Sequence, residues 1–270
     1  MSQPSLLPDH KRGVIAMTGA DARDVLQGVI TNDIDRLAPG VPLYAALLTP
    51  QGKYLFDFFL IDPGDGRILI DVARDRGQDL AKALMMYCLR RDAQLAGTGD
   101  MQVALAWGGA ASVVPVDGFL SLPDPRHPEL GHRLYGQGLH NHLGAEAAGA
   151  DAYNALRVRL CVPETGVELV PNDSFILEAG FERLNGVDFR KGCYVGQEVT
   201  ARMKHKTELR KGLVPVVVHG TAPPGTPVVA GGKPAGTLFT VVDGHGLAHL
   251  RLDRAGEGMQ AGDARVDYTA

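Results

Sequence analysis

Arg190-Lys-Gly-Cys-Tyr-Val-Gly-Gln-Glu198 lies just before the chain changes from mixed helix and strand patterns to short β-rich runs. Cys193 in this stretch follows two cations, stands between two glycines, and precedes a segment with helical propensity that begins at Glu198. Nearby cations and a following helix N-terminus favour the thiolate form of a cysteine. We therefore expect Cys193 to be a functional thiol, with a structural turn residue as the alternative.

The composition is that of a soluble globular protein. The chain has 270 residues, enough for two or three compact domains, and its net charge of −4 argues against an overall nucleic-acid footprint. Cys88, Cys161 and Cys193 form no CxxC pair, which disfavours a disulfide framework and a self-contained zinc site. The first residues lack the apolar core of a signal peptide, and no apolar run is long enough to span a membrane. These features predict a cytoplasmic protein without a membrane partner.

The first hundred residues alternate between strand and helix patterns. Asp21 is a plausible N-cap for the first helix, and Pro50-Gln-Gly-Lys53 between two apolar runs indicates a hairpin. The expected order is strand 13–18, helix 21–30, strands 43–49 and 54–61, strand 67–72 and helix 79–89. In the last helix, Tyr87 and Cys88 are expected on the buried stripe. The pattern predicts an α+β fold with helices on one face of a mostly antiparallel sheet.

The remainder of the chain is expected to finish in a different architecture. A helix is predicted over 145–160, and a turn followed by a short helix over 171–180. Beyond Lys211, short β-rich runs separated by Gly/Pro turns predict a small barrel or sandwich. We expect an α+β subdomain over 1–105, a second one over 106–208 that carries the Cys193 motif, and a β-barrel over 209–270.

Asp57 is the single acid within the predicted hairpin, where it interrupts Phe56, Phe58 and Phe59. A carboxylate facing an apolar core is costly unless it is paired. Two interpretations are open, an acid facing solvent on an edge strand and a pocket carboxylate that binds a polar heterocycle.

The run Lys191-Gly-Cys-Tyr-Val-Gly-Gln-Glu198 resembles the K-G-C-Y-x-G-Q-E hallmark of the YgfZ family, folate-binding proteins linked to iron–sulfur proteins. Val29-Ile-Thr-Asn-Asp33, Gln51-Gly-Lys53 and Leu89-Arg-Arg91 resemble the same family and the related glycine-cleavage T-proteins (GcvT). The continuation Thr200-Ala-Arg-Met-Lys-His205 is similar to the branch that includes the mitochondrial iron–sulfur assembly factor. The resemblance implies a GcvT-like multidomain arrangement, with ferredoxin-like α/β subdomains and a small C-terminal β-barrel.

The chain departs from the T-proteins at two places. They carry a double aspartate where this hairpin has Phe56-Asp57, and R-x-E-x-G where this chain has Arg157-Val-Arg-Leu-Cys161. The loss of those acids argues against a glycine-cleavage aminomethyltransferase, and it leaves open whether the protein is an enzyme.

The resemblance also implies site residues and ligands. Cys193 would act as a nucleophile or as one ligand of a transient iron–sulfur cluster shared with a partner, and Lys191 would keep the thiol ionised. Residues implied to contact tetrahydrofolate or a derivative are Asn32, Asp57, Tyr194, Gly196, Gln197, Glu198 and Arg202. For Tyr194 and Glu198, structural support of the loop is an equal alternative. The basic run from Arg202 to Lys211 is either a solvated helix face or a docking site for folate's tail or an acidic partner.

The preferred function is assistance in assembling or repairing [4Fe–4S] proteins, which would indirectly support cluster-dependent tRNA modification. The alternatives are a tetrahydrofolate-dependent one-carbon transferase and a non-catalytic folate-binding regulator. The expected partners are iron–sulfur carrier or client proteins and folate. We expect no direct nucleic-acid binding, because aromatic residues do not interleave the basic run.

Overall fold

The computed structural model describes residues 5–108, 118–142, 149–206 and 209–269. By contact density the chain divides into two units. Unit 1 comprises Met1–Leu48, Phe56–Gly149 and Arg183–Val195, and unit 2 comprises Thr49–Leu55, Ala150–Glu182 and Gly196–Ala270. The three-domain division stays a prediction. Within the described residues, no helix combines the length and the apolar character that spanning a membrane requires.

Unit 1 is built on two antiparallel sheets. In chain order the strands are β1 (Ser5–Pro8), β2 (Arg12–Thr18), β3 (Leu43–Leu48), β4 (Tyr54–Ile61), β5 (Ile68–Ala73), β6 (Gln94–Gly97), β7 (Met101–Trp107), β8 (Leu120–Pro123) and β9 (His132–Gln137). One sheet has the order β3-β4-β5-β2-β6 and the other the order β1-β7-β9-β8. All six residues of β3 are buried, because hydrophobic residues occupy every position of this strand.

The described part of unit 1 contains the α-helices α1 (Ala22–Val29), α2 (Gly77–Met85) and α3 (Leu139–His142). Helix α1 buries Ala22, Val25, Leu26 and Val29, the i, i+3, i+4, i+7 spacing of one helical face. Asp21 precedes α1 as predicted, but its side chain does not cap the helix. Its carboxylate instead accepts a hydrogen bond from the backbone N–H of Asp92 at 2.8 Å.

Helix α2 is shorter than predicted. Leu80 and Leu84 are buried as expected, but the helix ends at Met85, and Tyr87 is 41% exposed. The prediction that Tyr87 continues the buried stripe is wrong, because backbone turns replace helical bonds after Leu84. Cys88 is half-buried, and its thiol donates to the carbonyl oxygen of Leu84 at 3.4 Å.

Unit 2 contains the helices α4 (Ala150–Arg159) and α5 (Gln197–Lys206) and a closed barrel. The barrel strands are β10 (Lys211–His219), β11 (Thr226–Ala230), β12 (Lys233–Val242), β13 (His245–Arg251), β14 (Met259–Ala261) and β15 (Ala264–Asp267). They close in the order β10-β13-β12-β11-β14-β15 around side chains such as Val228, Leu238 and Leu250. The short β-rich runs predicted beyond Lys211 correspond to the first four barrel strands. Strands β14 and β15 are too short to show an alternation of apolar and polar residues.

The helix predicted within 171–180 is not formed; the segment consists of turns. Asn172 adopts a left-handed conformation with φ of +64°, and Phe175 pairs as an isolated bridge with Lys53. Backbone N–H and C=O groups of this segment therefore bond to the hairpin, and they are not available for the hydrogen bonds of a helix. The helix predicted over 145–160 is observed from Ala150 to Arg159, and residues 143–148 lie outside the described chain.

Candidate functional site

Lys191 is the anchor of the Cys193 loop in unit 1. Its side chain is 7% exposed, and its ammonium group donates to three backbone carbonyl oxygens. They belong to Gln27 at 2.9 Å, Ile30 at 2.7 Å and Asn32 at 2.7 Å. The first two lie at the C-terminal end of α1, where unsatisfied carbonyls and the helix dipole favour a cation. The loop is thereby fixed to the end of α1.

Burial lowers the pKa of Lys191 from 10.5 to about 8, although Asp33, Asp188 and Asp35 act in the opposite direction. An ammonium group has three hydrogens, and the three carbonyl bonds use all of them. In this structure Lys191 therefore holds the Cys193 loop in place. Its predicted role in ionising the Cys193 thiol stays a prediction.

Cys193 itself is exposed, two residues beyond the anchor. Gly192 beside it is also exposed, and a Cβ added there would meet nothing within 4 Å. Tyr194 is 8% exposed, and its ring centroid lies 5.2 Å from the Lys191 ammonium nitrogen. Two buried side chains therefore flank an accessible thiol, an arrangement that presents a thiol to a large reactant or a protein partner.

Asn32 is brought to the same place by the turn after α1. Its side-chain amide donates to the carbonyl oxygens of Tyr44 and Asn185, each at 2.8 Å, and its amide oxygen accepts from the N–H of Asp33. Both amide hydrogens are therefore used by the backbone. The predicted contact between Asn32 and a pterin stays a prediction, and only an oxygen lone pair remains for it.

Asp57 connects to this region through Tyr44. It is 4% exposed on β4, an interior strand of its sheet, and accepts from the Tyr44 hydroxyl at 3.1 Å. The solvent-facing interpretation of Asp57 is therefore wrong. Because Asn32 bonds to the Tyr44 backbone and Lys191 bonds to the Asn32 backbone, one chain of contacts joins three predicted residues. Tyr44 was not singled out from the sequence, since nothing distinguishes it from other apolar strand residues.

A cleft of about 340 Å³ opens beside Tyr44 in unit 1. Its walls are mostly apolar, and four of the lining residues have polar groups in their side chains. The lining residues are Asn32, Arg36, Gly40, Val41, Pro42, Leu43, Tyr44, Pro123, Pro125 and Asn185. The Arg36 side chain is 53% exposed and lies 3.5 Å from the Asp188 carboxylate. Apolar walls with a few polar groups and a volume of this size are typical of small-molecule sites.

A buried ionic cluster in unit 1 was missed by the sequence analysis. Asp71 on β5 accepts from Arg12 at 2.6 Å, from Arg133 at 2.9 Å and from the Tyr135 hydroxyl at 2.9 Å. Burial raises the pKa of Asp71, but the two guanidinium groups outweigh it, so the pKa is lowered. The available signal was an acid inside an apolar strand, which must find a partner when buried.

The same cluster includes a second ion pair close to the cleft wall. Asp124 accepts two bonds from the Arg126 guanidinium, at 3.0 and 2.8 Å. The guanidinium carbon atoms of Arg133, Arg126 and Arg12 lie 4.1, 4.8 and 5.3 Å from the centroid of the Phe59 ring. Stacking of cations on one ring adds to the ion pairs that neutralise them. Asp124 stands between Pro123 and Pro125, so this pair fixes one wall of the cleft.

In unit 2, the second half of the motif forms the start of α5. Gly196 has φ of +83°, a left-handed conformation that glycine adopts freely, and its carbonyl oxygen accepts from the Thr200 hydroxyl at 3.3 Å. Gln197 is half-buried, whereas Glu198 and Arg202 are exposed. The predicted helix after Cys193 is thus present, and the folate contacts of these four residues stay predictions.

The basic run after Arg202 lies largely on α5. Lys204 pairs with Glu182, and Arg202, His205, Arg210 and Lys211 are exposed. Residues 207 and 208 and the side chain of Lys206 lie outside the described part of the chain. The exposure agrees with both interpretations of the run, a solvated face and a docking site.

The arginine that matches the T-protein R-x-E-x-G position has a structural role in unit 2. Arg157 is 4% exposed; it donates to Glu168 at 3.1 Å and to the hydroxyl of Thr240 on β12 at 2.6 Å. It thereby joins α4 to the barrel. Cys161, with φ of +53°, donates its thiol hydrogen to the carbonyl oxygen of Leu213 at 3.4 Å, as expected for a structural cysteine.

Comparisons with known proteins match this architecture. The family described as CAF17, C-terminal beta-barrel domain, matches residues 210–270. The structure of glycine cleavage system aminomethyltransferase T from Bartonella henselae superposes with a TM-score of 0.79 at 14% identity, covering 98% of this chain and 84% of that one. The fold is therefore that of a GcvT-like multidomain α+β protein with a small C-terminal β-barrel, as predicted. The structure shows that this barrel has six strands.

Two curated relatives narrow the assignment. The mitochondrial iron–sulfur cluster assembly factor IBA57 homolog of Neurospora crassa is 31% identical, over 78% of this chain and 54% of the relative. Its counterpart from Phaeosphaeria nodorum is 29% identical, over 92% of this chain and 70% of the relative. The matches support a GcvT/YgfZ-like family for this chain. The chain spans little more than half the length of the Neurospora crassa relative and of several other curated relatives.

The predicted cytoplasmic location is corrected by the same comparison, because these relatives are named mitochondrial. The prediction was wrong because composition and the lack of an apolar span indicate only whether a chain favours water or a membrane. They do not distinguish one aqueous compartment from another.

Proposed function

We propose that this protein assists the assembly of iron–sulfur proteins and that Cys193 is the residue that meets the cluster or its carrier. The observation that carries the proposal is an exposed thiol on a loop fixed by a buried, fully bonded lysine. Its relatives are named as iron–sulfur cluster assembly factors, which supports the same role here.

The cluster is cargo in this proposal. Such clusters are normally held by about four protein ligands, and Cys193 supplies one. A carrier protein, a client protein or a small thiol must supply the others. Among the described residues no group of three or more His, Cys, Asp or Glu could hold a metal ion, which agrees with a shared site. Lys191 keeps the loop in place, so that the thiol meets an incoming partner without first ordering the loop.

We also propose that the cleft beside Tyr44 binds tetrahydrofolate or a derivative. The residues present fit such a group, because Pro42, Pro123 and Pro125 offer apolar walls for a flat ring, and Arg36 offers a cation for the carboxylates of the tail. The bound folate would serve either as a one-carbon carrier or as a signal of how much folate the cell contains. The chain's own contribution is to bind and orient it.

The test is complementation of a strain that lacks the native gene. Cys193→Ala should fail to restore the activity of an aconitase-type [4Fe–4S] enzyme, whereas Cys88→Ala, which alters a half-buried thiol, should restore it. Circular dichroism of both purified variants should match the wild type. Full complementation by Cys193→Ala would remove the role of this thiol.

Calorimetric titration with tetrahydrofolate tests the cleft separately from the thiol. The wild type and Cys193→Ala should bind alike, and Arg36→Ala should bind about fivefold more weakly, as expected for one partly exposed ion pair. Absence of binding to the wild type would remove folate from the proposal and leave the cluster role standing.

A further inference from the structure

An exposed apolar patch follows helix α2 in unit 1. Eight large hydrophobic side chains are strongly exposed among the described residues, and four of them lie within five positions. These are Met85, Met86, Tyr87 and Leu89, with exposed fractions of 48%, 68%, 41% and 70%. Clustered exposed apolar side chains are a feature of protein-interaction surfaces, whereas single exposed ones are ordinary. We call residues 85–91 the Met85–Arg91 patch.

The backbone holds these side chains outward. The N–H groups of Tyr87, Cys88 and Arg91 donate to the carbonyl oxygens three residues earlier, at 2.9, 3.1 and 3.0 Å. Arg90 has φ of +63°, a left-handed conformation that costs a non-glycine residue about 1 kcal/mol. Hydrogen bonds thus hold a compact turn that displays apolar side chains.

The patch is also locally cationic. Between Asp79 and Asp92 the sequence contains Lys82, Arg90 and Arg91 and no acid, although the whole chain has a net charge of −4. The Asp92 carboxylate accepts a hydrogen bond from the backbone N–H of Ala20 at 3.1 Å. Lys82 lies 3.7 Å from Asp79, and both Arg90 and Arg91 are exposed. A partner with complementary charge would therefore present carboxylates around an apolar centre.

The composition favours a protein partner. Methionine, tyrosine and arginine are enriched at protein interfaces, and methionine adapts its shape to different partners. A second copy of this chain would bring like charges together on the symmetry axis. We propose that the Met85–Arg91 patch docks the acidic face of a partner protein, with Met86 and Leu89 buried at the centre and Arg90 and Arg91 paired at the rim. This inference does not depend on the role of Cys193.

Site-specific photo-crosslinking tests the proposal in cells whose only copy of the protein carries p-benzoylphenylalanine at Met86. A matched control carries it at Val217, which is 42% exposed on barrel strand β10. The Met86 probe should give one discrete adduct that the Val217 probe does not give. Mass spectrometry of the adduct should place the crosslink in a partner peptide rich in Asp and Glu beside an apolar residue.

Charge reversal provides the second measurement. Combining Arg90→Glu and Arg91→Glu with the Met86 probe should lower the adduct yield at least about fivefold, since each exposed ion pair contributes up to about that factor. The thermal unfolding midpoint should stay unchanged, because both side chains are exposed. An adduct with lipid or with a second copy, no adduct, or an adduct insensitive to the charge reversal would each overturn the proposal.

Discussion

The ammonium group of Lys191 is buried, and all three of its hydrogen bonds go to backbone carbonyl oxygens. The three carbonyls gain a donor that they would otherwise need from water or from the protein. A lysine two residues before an exposed thiol invites a catalytic interpretation. At the scale of the residue, its hydrogen bonds show that Lys191 holds the loop in place.

Lys191→Met should lower the free energy of unfolding by about 1–3 kcal/mol, because three carbonyl acceptors lose their donor. It should also make the loop more sensitive to limited proteolysis near Cys193. Urea denaturation and digestion kinetics measure the two effects. Lys82→Met, which alters a side chain that is 69% exposed, is the control and should change the free energy by less than about 0.5 kcal/mol. Equal effects of the two variants would contradict the anchoring role.

The hairpin turn before β4 supports the start of α5 within unit 2. The N–H of Gly52 donates to the carbonyl oxygen of Thr49 at 2.8 Å, which closes the turn. Gly52 has φ of +76°, and a Cβ added there would lie 2.8 Å from the Cβ of Val199. At the scale of the element, glycine is required here by conformation and by close approach together.

Gly52→Ala should therefore destabilise the protein by about 2–4 kcal/mol, of which about 1 kcal/mol comes from the left-handed backbone and the rest from overpacking against α5. Gly64→Ala is the matched control, since Gly64 has φ of +84° and open space around it. It should cost about 1 kcal/mol. Urea denaturation of both variants gives the difference, and equal losses would show that α5 does not press on the turn.

At the scale of the whole molecule, the buried ionic cluster of unit 1 links stability to pH. Burial raises the pKa values of Asp71 and Asp124, yet their arginine partners lower them further, so both are depressed below 3.8. A depressed carboxyl pKa gives stability that is present above the unfolded-state value and is lost as the pH falls through the folded-state value. Asp9 acts oppositely, because burial raises its pKa.

Acid should therefore destabilise the protein as the pH falls below about 4, because the two carboxylates must then be protonated while their arginine partners stay charged. Asp71→Asn should be less stable at pH 7, because it leaves arginines uncompensated, and should lose less stability between pH 5 and pH 2. Asp65→Asn is the control, since solvent screens its exposed pair with Arg67. Denaturation curves at several pH values measure the slopes, and an unchanged slope in Asp71→Asn would contradict the assignment.

Local sequence patterns predicted a large part of the fold. Hydrophobic periodicity placed α1, and apolar runs bounded by turn residues placed β2, the β3–β4 hairpin, β5 and the first four barrel strands. It failed at Tyr87, where local turns replace the helical hydrogen bonds. It also failed over 171–180, where backbone pairing with the hairpin overrides helical propensity. The cytoplasmic location failed for a different reason, since no packing rule encodes a compartment.

The sequence by itself determined the α+β architecture, the terminal barrel, the motif around Cys193 and the family, since these depend on local spacing and residue type. Only the tertiary structure decided what the motif's neighbours do. It buried Lys191 on the end of α1, joined Asp57 to Asn32 through Tyr44, and paired Asp71 with Arg12 and Arg133. The contacts of Lys191 and Asp71 join residues far apart in sequence, whereas those of Tyr44 with Asn32 and Asp57 span 12 and 13 positions. All of them form because a buried charge or polar group must find a partner wherever the fold supplies one. The same packing leaves the thiol of Cys193 exposed beside the buried Lys191 and Tyr194.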